Sequence, residues 1–268
     1  YDSNRFVVRH YPLRDQRIKK PVKAVVLADL HNKRYGKENE RLLESIKNQH
    51  PDLILIGGDM LVRKDGNSYD RTVRFLGKLP AICPVYCANG NHEQKLKELP
   101  DKYEQSYEGY KKALTACGIH MLENASETVR LDEAPVRISG LEIPLRAYAR
   151  FGKKDLPLKE ITDRIGEHGE EYQILFAHHP GYIQEYLEYG ADLILSGHYH
   201  GGVMQLPGIG GVISPDFTLF PKYSGGIYRE GTQTVVVSRG LGTHSVPVRL
   251  WNWPELIVLE LSGTSEEM

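Results

Sequence analysis

The sequence predicts an α/β fold built around parallel strands. Several short apolar runs end in a glycine or a polar residue, as buried strands of a parallel sheet do. Segments with the 3.6-residue hydrophobic period of amphipathic helices separate these runs. The last third of the chain, 203–261, is rich in glycine and has strand-like runs without helices between them, so we expect a second sheet there.

In the first half of the chain, predicted strands and helices alternate. Residues 1–21 form a polar, basic lead-in, in which 6–8 has the pattern of a short strand. The first long apolar run is 22–30, and the proline before it marks its start. The other elements predicted in this half are strands at 52–56 and 84–88 and helices at 37–49, 69–78 and 103–117.

The second half begins with short alternating strands and returns to long apolar runs. The predicted strands are 119–122, 127–131, 135–141, 172–177, 192–195, 234–238 and 255–261, and the predicted helices are 156–168 and 181–189. No long Gly/Ser linker or low-complexity segment divides the chain. We therefore expect a single domain over 22–262, with 263–268 as a tail.

The composition is that of an ordinary globular protein. Of 268 residues, 40% are hydrophobic and 26% are charged, and the formal net charge of -1 argues against a nucleic-acid partner held by bulk charge. Three cysteines do not form a disulfide framework, so we expect free thiols. No apolar run has the length of a membrane-spanning helix. The chain starts at Tyr1, which fits either a trimmed or a mature form, so a removed signal peptide or membrane anchor is one alternative. A membrane-associated or exported protein is favoured over a cytoplasmic one.

Polar side chains follow five of the predicted strands. They are Asp29 and His31, Asp59, Asn91 and His92, His178, and His198 and His200. Ligands of open α/β sheets bind beyond the carboxyl ends of the strands, so we expect these residues to share one site. His198 and His200 have one residue between them, and in an extended backbone their side chains would face the same way.

This set of side chains predicts a transition-metal site. Carboxylates, an amide oxygen and imidazoles together suit Mn, Fe, Zn, Co or Ni better than Ca, which prefers oxygen alone. Without His92, seven ligands remain, too many for one ion, but they fit two ions if one carboxylate bridges them. Spacing alone leaves open which aspartate bridges.

Five ordered blocks resemble the calcineurin-like metallophosphoesterase family. They are Asp29-x-His31, Gly58-Asp59, Gly90-Asn91-His92-Glu93, His178 and Gly197-His198-x-His200. The resemblance implies a four-layer α/β/β/α sandwich, in which two mixed sheets lie between helices. The segments 206–211 and 238–242 are similar to those of a bacterial branch of membrane-associated or exported phosphoesterases that includes UDP-diacylglucosamine hydrolases.

The resemblance also implies a role for each site residue. It assigns Asp29, His31 and His200 to one metal ion and Asn91, His178 and His198 to the other, with Asp59 bridging the pair. It implies that His92 contacts the phosphate and protonates the leaving oxygen. We expect His179, the neighbour of His178, to have a packing role or to support a metal ligand. His244 follows a glycine-rich loop, 240–243, that could close on the site.

We therefore expect a binuclear metal-dependent phosphohydrolase with two divalent transition-metal ions, Mn favoured. It would cleave a phosphodiester or pyrophosphate bond by attack of a metal-bridging hydroxide, with His92 as general acid. The alternatives are a phosphomonoesterase and, ranked below it, a nuclease or a noncatalytic scaffold. The expected partner is a small phosphorylated substrate, lipid- or sugar-linked, with peripheral membrane association and no nucleic acid.

Overall fold

The computed structural model describes residues 5–63, 68–131, 133–149, 153–202, 204–206, 210–213, 218–243 and 249–263. Its strands are β1 (Val7–Arg14), β2 (Val22–Leu27), β3 (Leu53–Ile56), β4 (Val85–Ala88), β5 (Ile119–Leu122), β6 (Ala125–Leu131), β7 (Ala134–Leu141), β8 (Tyr172–Ala177), β9 (Leu193–Ser196), β10 (Gln205–Leu206), β11 (Gly210–Gly211), β12 (Gly226–Glu230), β13 (Gln233–Val237) and β14 (Glu255–Ser262). Its α-helices are α1 (Glu40–Lys47), α2 (Asp70–Leu76), α3 (Asn91–Glu98), α4 (Tyr107–Ala116), α5 (Leu158–Ile165) and α6 (Ile183–Tyr189).

Two six-stranded mixed sheets form the frame. The first has the order β1-β14-β2-β3-β4-β5, in which β2 to β5 are parallel and β14 runs antiparallel to β2. The second has the order β12-β13-β9-β8-β7-β6, in which the four central strands are parallel and the two edge strands are antiparallel to their neighbours. Strands β10 and β11 form a separate two-stranded pair.

Three hydrophobic cores separate four layers. Between the sheets, side chains such as Val26 and Leu55 from the first pack with Ile174 and Leu195 from the second. The other face of the first sheet packs against α1 to α4, and the other face of the second packs against α5 and α6. Central strands buried on both faces explain the near-continuous apolar runs of the sequence. The expected four-layer sandwich is confirmed.

The elements differ from the sequence predictions in several places. Strands β10, β11 and β12 lie in the stretch predicted as a glycine-rich loop. The second sheet expected in the last third is wrong as stated, because β12 and β13 extend a sheet that contains β6 to β9, and β14 joins the first sheet.

Strand β1 is longer than the short strand expected at 6–8, and all of it pairs in parallel with β14, so part of the polar lead-in belongs to the first sheet. Helix α3 was not predicted, because Leu96 is the one apolar side chain among its eight residues and no hydrophobic period marks it.

The two sheets place their parallel strands so that the carboxyl ends of β2, β3 and β4 lie beside those of β8 and β9. A direct link joins the sheets there: the ring of His178, after β8, lies 2.8 Å through Nδ1 from the carbonyl oxygen of Gly57, after β3. Within the described ranges, every helix is too short or too polar to cross a membrane.

Candidate metal centre

The eight residues predicted for the site lie together at this shared edge. Both aspartates are fully buried, with no solvent-exposed area. His178 Nε2 lies 3.2 Å from Asp59 Oδ2 and 3.6 Å from Asp29 Oδ1, so one imidazole contacts both carboxylates. The two aspartates, which follow neighbouring strands β2 and β3, thus form the middle of a single cluster.

One part of the cluster consists of Asp29, His31 and His200, which we name the His200 group. His200 Nε2 lies 3.2 Å from Asp29 Oδ1 and 3.1 Å from His31 Nε2. His31 Nε2 is also 3.7 Å from Asp59 Oδ2. The three side chains offer ligand atoms that all lie within 4.8 Å of one another, close enough for one ion to bind them together.

The other part consists of Asp59, Asn91, His178 and His198, which we name the His198 group. Asp59, His178 and His198 likewise offer ligand atoms within 4.8 Å of one another. Since His178 donates its Nδ1 proton to the Gly57 carbonyl, Nε2 is the ring nitrogen that faces the carboxylates, and it becomes a ligand atom once its proton is lost. That tautomer is the one that can bind a metal through Nε2.

The Asn91 amide gives a structural test of whether a cation fits here. One end of this amide lies 2.7 Å from His198 Nδ1 and 3.3 Å from Asp59 Oδ2. With its nitrogen at that end, the amide donates to both atoms. With its oxygen there, and with the proton of His198 on Nε2, three ligand atoms converge with no proton between them. A cation is what satisfies the second arrangement, and the mixed oxygen and nitrogen donors suit a divalent transition metal.

The backbone at these residues is unusual. Five of the seven predicted ligands have positive φ, in the region that L-residues seldom adopt: Asp29 at 52°, His31 at 48°, Asp59 at 52°, His198 at 64° and His200 at 50°. Such conformations cost roughly 1–3 kcal/mol each and are typical of functional sites. The extended backbone expected at His198 and His200 is therefore wrong. The two rings share one site because a tight turn follows β9, in which the amide of Tyr199 donates to the carbonyl of Gly197.

Glycines permit the close contacts of this turn and of the loop before α3. A Cβ at Gly197 would lie 2.3 Å from Asp29 Oδ2, and one at Gly90 would lie 2.2 Å from Asp59 Oδ1. Any side chain at either position would displace an aspartate of the cluster.

Burial and charge together hold the cluster in an anionic state that favours cations. Burial alone would raise the pKa of Asp29, but His200 and His178 hold it well below its usual range. Burial alone would lower the pKa of His178, but the Asp59 and Asp29 carboxylates raise it to about 10. His198 has its pKa lowered by burial and by the neighbouring His179 and His178, so it is a neutral ligand.

His92 lies beside both groups, and it too offers a ligand atom within 4.8 Å of those of His31 and Asp59. Its ring packs edge-on against His31 at 4.9 Å between centroids, and its backbone amide donates to Asp59 Oδ1 at 2.8 Å. The Arg63 amide donates to His92 Nδ1 at 3.1 Å. Because Nδ1 accepts that hydrogen bond, the ring carries its proton on Nε2.

The sequence of this chain is similar to those of known proteins. A model of the calcineurin-like phosphoesterase family matches residues 22–202, which is more than half of the chain. The chain belongs to the calcineurin-like phosphoesterase family. It is 30% identical over 248 residues to the uncharacterized metallophosphoesterase YkuE of Bacillus subtilis, covering 91% of this chain and 80% of that protein. It is 27% identical over 244 residues to the phosphodiesterase YaeI of Escherichia coli, covering 90% and 82%.

The fold is also that of solved structures. The chain resembles the phosphopantetheinyl hydrolase PptH from Mycobacterium tuberculosis with a TM-score of 0.50 and 14% identity, covering 83% of this chain and 89% of that one. As a member of this family the protein is a metal-dependent phosphoesterase. All eight predicted site residues lie inside the stretch that matches the family, and the narrower resemblance to UDP-diacylglucosamine hydrolases remains a prediction.

Glu93 supports this phosphoesterase centre, although no role was predicted for it from the sequence. Its buried carboxylate accepts hydrogen bonds from the backbone amides of Asp59 and Met60, each at 2.9 Å, and from Gly90 at 3.1 Å. Burial and the nearby Asp59 charge raise the pKa of Glu93 to about 7. Its place directly after the Gly-Asn-His run was the signal that could have identified it.

The segment 249–252 also supports the centre, and no sequence signal indicated it. Asn252 is fully buried, and its side-chain amide donates to the carbonyls of His200 at 2.6 Å and Gly202 at 2.7 Å. Arg249 is buried and donates to the carbonyls of Arg239 and Gly242. Gly242 in turn donates its amide to the carbonyl of Asp29 at 2.6 Å. The glycine-rich loop therefore lies against the His200 group, whereas His244 and residues 207–209 lie outside the described residues.

His179 does not join the metal cluster, and its position fits the packing role expected for it. Its ring packs against His198 at 4.7 Å between centroids, and its Nδ1 accepts the Gly181 amide at 3.0 Å. His179 also lines a cavity of about 320 Å³.

Proposed function

We propose that the protein is a phosphohydrolase that uses two divalent ions to cleave a phosphodiester or pyrophosphate bond. The observation that carries this proposal is that the His200 group and the His198 group meet at the two buried carboxylates of Asp29 and Asp59. In this proposal Asp29, His31 and His200 bind one ion, Asn91, His178 and His198 bind the other, and Asp59 is shared. An oxygen of each aspartate is near both His31 and His178, so either carboxylate could be shared, and the choice of Asp59 follows the family resemblance.

The proposed ions are Mn²⁺, with Zn, Fe, Co or Ni as alternatives. Two carboxylates and an amide oxygen form a harder ligand set than that of a structural zinc site, which is rich in thiolates. The described cysteines lie elsewhere: Cys83 and Cys87 are on or beside β4, and Cys117 follows α4. When bound, such a pair of ions activates a water nucleophile and offsets charge on the phosphoryl oxygens.

His92 is the proposed general acid. The Arg63 amide at Nδ1 keeps the proton on Nε2, the ring nitrogen left to face a substrate. Proton donation from this atom to the leaving oxygen would contribute typically 10²–10⁴-fold to the rate. Asn91 adds a neutral oxygen, so it brings no further negative charge near the phosphate.

The proposed substrate is a small phosphorylated compound, lipid- or sugar-linked. Exposed apolar side chains near the centre support the lipid form and peripheral membrane association. Their exposed fractions are 63% for Leu219, 56% for Phe220, 42% for Leu250, 65% for Trp251 and 37% for Trp253. Backbone bridges join 204 with 250 and 213 with 219, so these side chains surround one small region beside Asn252. Exposed tryptophans are typical of surfaces that lie at a membrane interface.

The test is turnover of a substrate panel by protein loaded with Mn²⁺, Zn²⁺ or Co²⁺, with bound metal counted per chain. The panel is p-nitrophenyl phosphate, bis(p-nitrophenyl) phosphate and a nucleotide-sugar pyrophosphate. We expect two ions per chain and cleavage of the diester or the pyrophosphate. Cleavage of the monoester alone would replace this proposal with a phosphomonoesterase, and absence of bound metal would overturn it.

A further inference from the structure

Tyr148 lies beside the proposed metal centre without being part of either ligand group. It ends a short 3-10 helix, Leu145–Tyr148, that follows β7, so it lies at the same edge of the second sheet as the end of β8. Its ring packs edge-on against His198 at 5.3 Å between centroids, and it lies tilted against His179 at 5.1 Å. A side chain with no assigned role therefore contacts a proposed metal ligand.

The backbone that carries Tyr148 is fixed to the helix of the proposed general acid. The side-chain amide of Gln94 donates to the carbonyl of Ile143, just before the 3-10 helix, at 2.7 Å. Gln94 belongs to α3, which carries His92 in its first turn. The position of Tyr148 is therefore set relative to both His92 and His198.

The ring of Tyr148 lies on a different side from the side chains that flank it in the chain. Ala147 and Ala149 line the cavity beside His179, and Tyr148 is not among the residues that line it. Tyr148 is half-buried, and the part of its ring that packs against His198 belongs to the metal centre.

The exposure of the site residues shows from which side a molecule reaches the centre. Asp29 and Asp59 have no exposed area, whereas His92 is 7% exposed and His198 is 9% exposed. The open side of the cluster therefore includes these two rings, and Tyr148 lies next to one of them.

Among the residues that the structure describes, the Tyr148 hydroxyl has no hydrogen-bond partner. Two nearby tyrosines differ from it, because Tyr182 donates to the Ala147 carbonyl at 3.3 Å and Tyr186 donates to the His179 carbonyl at 3.2 Å. Tyrosine hydroxyls in largely buried surroundings usually have a partner. The unpaired hydroxyl beside the centre is therefore available to a bound molecule.

This hydroxyl is a proton donor at neutral pH. An ordinary tyrosine keeps its proton up to a pH of about 10. Burial raises the pKa of Tyr148 well above its usual value, and the Asp59 and Asp29 carboxylates raise it further, so the hydroxyl lies within electrostatic reach of both aspartates. A hydroxyl that donates to an anionic oxygen makes a stronger hydrogen bond than one that donates to a neutral group.

We propose that the Tyr148 hydroxyl donates a hydrogen bond to a phosphoryl oxygen of the substrate at the metal centre. The proposal rests on the proposed function, which it deepens by adding a substrate-binding residue from the second sheet. A phosphate binds where the two ligand groups meet, so its oxygens are the strongest acceptors that a hydroxyl beside His198 can meet.

The test is Tyr148→Phe, which removes the hydroxyl and keeps the ring that packs against His198. Bis(p-nitrophenyl) phosphate is the substrate and inorganic phosphate is the competitive inhibitor, both with Mn²⁺-loaded protein. We expect kcat/KM to fall by about ten- to a hundredfold and the inhibition constant of phosphate to rise by a similar factor, because a hydrogen bond to a charged acceptor is lost. Metal content and the midpoint of thermal unfolding should stay at their wild-type values, since no hydrogen bond within the described residues is broken.

Tyr189→Phe is the matched control. It removes a hydroxyl that contacts Gln173 at the amino end of β8, away from the centre, and it should change none of these values. An unchanged inhibition constant of phosphate in the Tyr148 variant would overturn the proposal. Loss of bound metal from that variant would also overturn it, because the hydroxyl would then act by supporting a ligand.

Failure of the metal-loaded wild type to cleave any substrate of the panel would instead contradict the proposed function. Calorimetric titration with inorganic phosphate would still test Tyr148 in that case, because weaker binding by Tyr148→Phe than by the wild type is expected whether or not turnover occurs. Equal binding of phosphate by the two proteins would overturn the Tyr148 proposal alone.

Discussion

The two ligand groups of the metal centre are held by different parts of the chain. The His198 group is supported by Glu93 and by the Gly57 carbonyl, both inside the stretch that matches the family. The His200 group is supported by Asn252 and by the loop that Arg249 holds, and both lie beyond that stretch. We infer that the affinity for each of the two proposed ions depends on a different part of the protein. A mutation in one part should therefore weaken the binding of one ion more than that of the other.

The two groups also differ in the pKa values of their histidines. In the His198 group, His178 contacts both carboxylates and its pKa rises to about 10, whereas burial lowers the pKa of His200 in the other group. A proton therefore competes with an ion more strongly at His178 than at His200.

The largest effect is expected from Asp59→Ala, which removes the carboxylate that the two groups share. Both ions should be lost and turnover should fall to background, as measured by metal content and by diester hydrolysis. Asp192→Ala is the matched control, because this carboxylate binds Arg17 and the Gln173 amide away from the centre. Near-normal turnover of the Asp59 variant would refute the shared carboxylate.

Next in size is His92→Ala, which should leave both groups intact. We expect turnover to fall by about 10²–10⁴-fold, because proton donation to the leaving oxygen is lost. Metal content should stay at the wild-type value, since His92 is not assigned as a ligand. His120→Ala, which removes an exposed histidine paired with Glu127, is the control. Loss of both ions from the His92 variant would show that the assigned role is wrong.

Glu93→Gln tests the support of the His198 group. The amide that replaces one carboxylate oxygen would face backbone donors, at a cost of about 1–3 kcal/mol in the free energy of unfolding. Because Glu93 holds the Asp59 loop, we expect the ion of the His198 group to bind more weakly, with a smaller effect on the ion of the His200 group. Chemical denaturation and metal titration measure the two effects, and unchanged values in both would argue against this support.

Asn252→Ala tests the support of the His200 group and should have the smallest effect on turnover. Partners of ligand residues typically contribute 10–100-fold to metal affinity, so one ion should bind that much more weakly while the other is unaffected. Calorimetric titration with Mn²⁺ would resolve the two steps. Asn124→Ala removes a half-buried asparagine paired with Glu142 and should change neither step. Equal weakening of both ions would contradict the separation of the two groups.

The sequence was sufficient to predict the site residues that lie at the ends of predicted strands. Asp29 and His178 directly follow apolar runs, and the carboxyl ends of such strands meet at one edge of a sheet, so their convergence needed no structure. The four-layer sandwich followed from the family resemblance. By contrast, helix α3 has one apolar side chain, so no pattern of hydrophobic residues distinguished it from a loop.

The unpredicted parts are those that depend on distant contacts or on local strain. Asn252 reaches His200 across about fifty residues of chain, and a lone asparagine between two tryptophans has no pattern that indicates such a contact. The positive φ of His198 and His200 was not predicted from the sequence. Two histidines with one residue between them fit an extended strand as well as a tight turn, and tertiary contacts decide between the two. The cavity beside His179 combines four separate segments, and no one of them marks it.

The most direct test of the central claim is electron paramagnetic resonance of the protein loaded with Mn²⁺. Two ions that share the Asp59 carboxylate should give the spectrum of a spin-coupled pair once two equivalents are bound, and Asp59→Ala should abolish it. A spectrum of isolated ions at saturation in the wild-type protein would contradict a shared carboxylate and, with it, the two-ion centre proposed for this phosphoesterase.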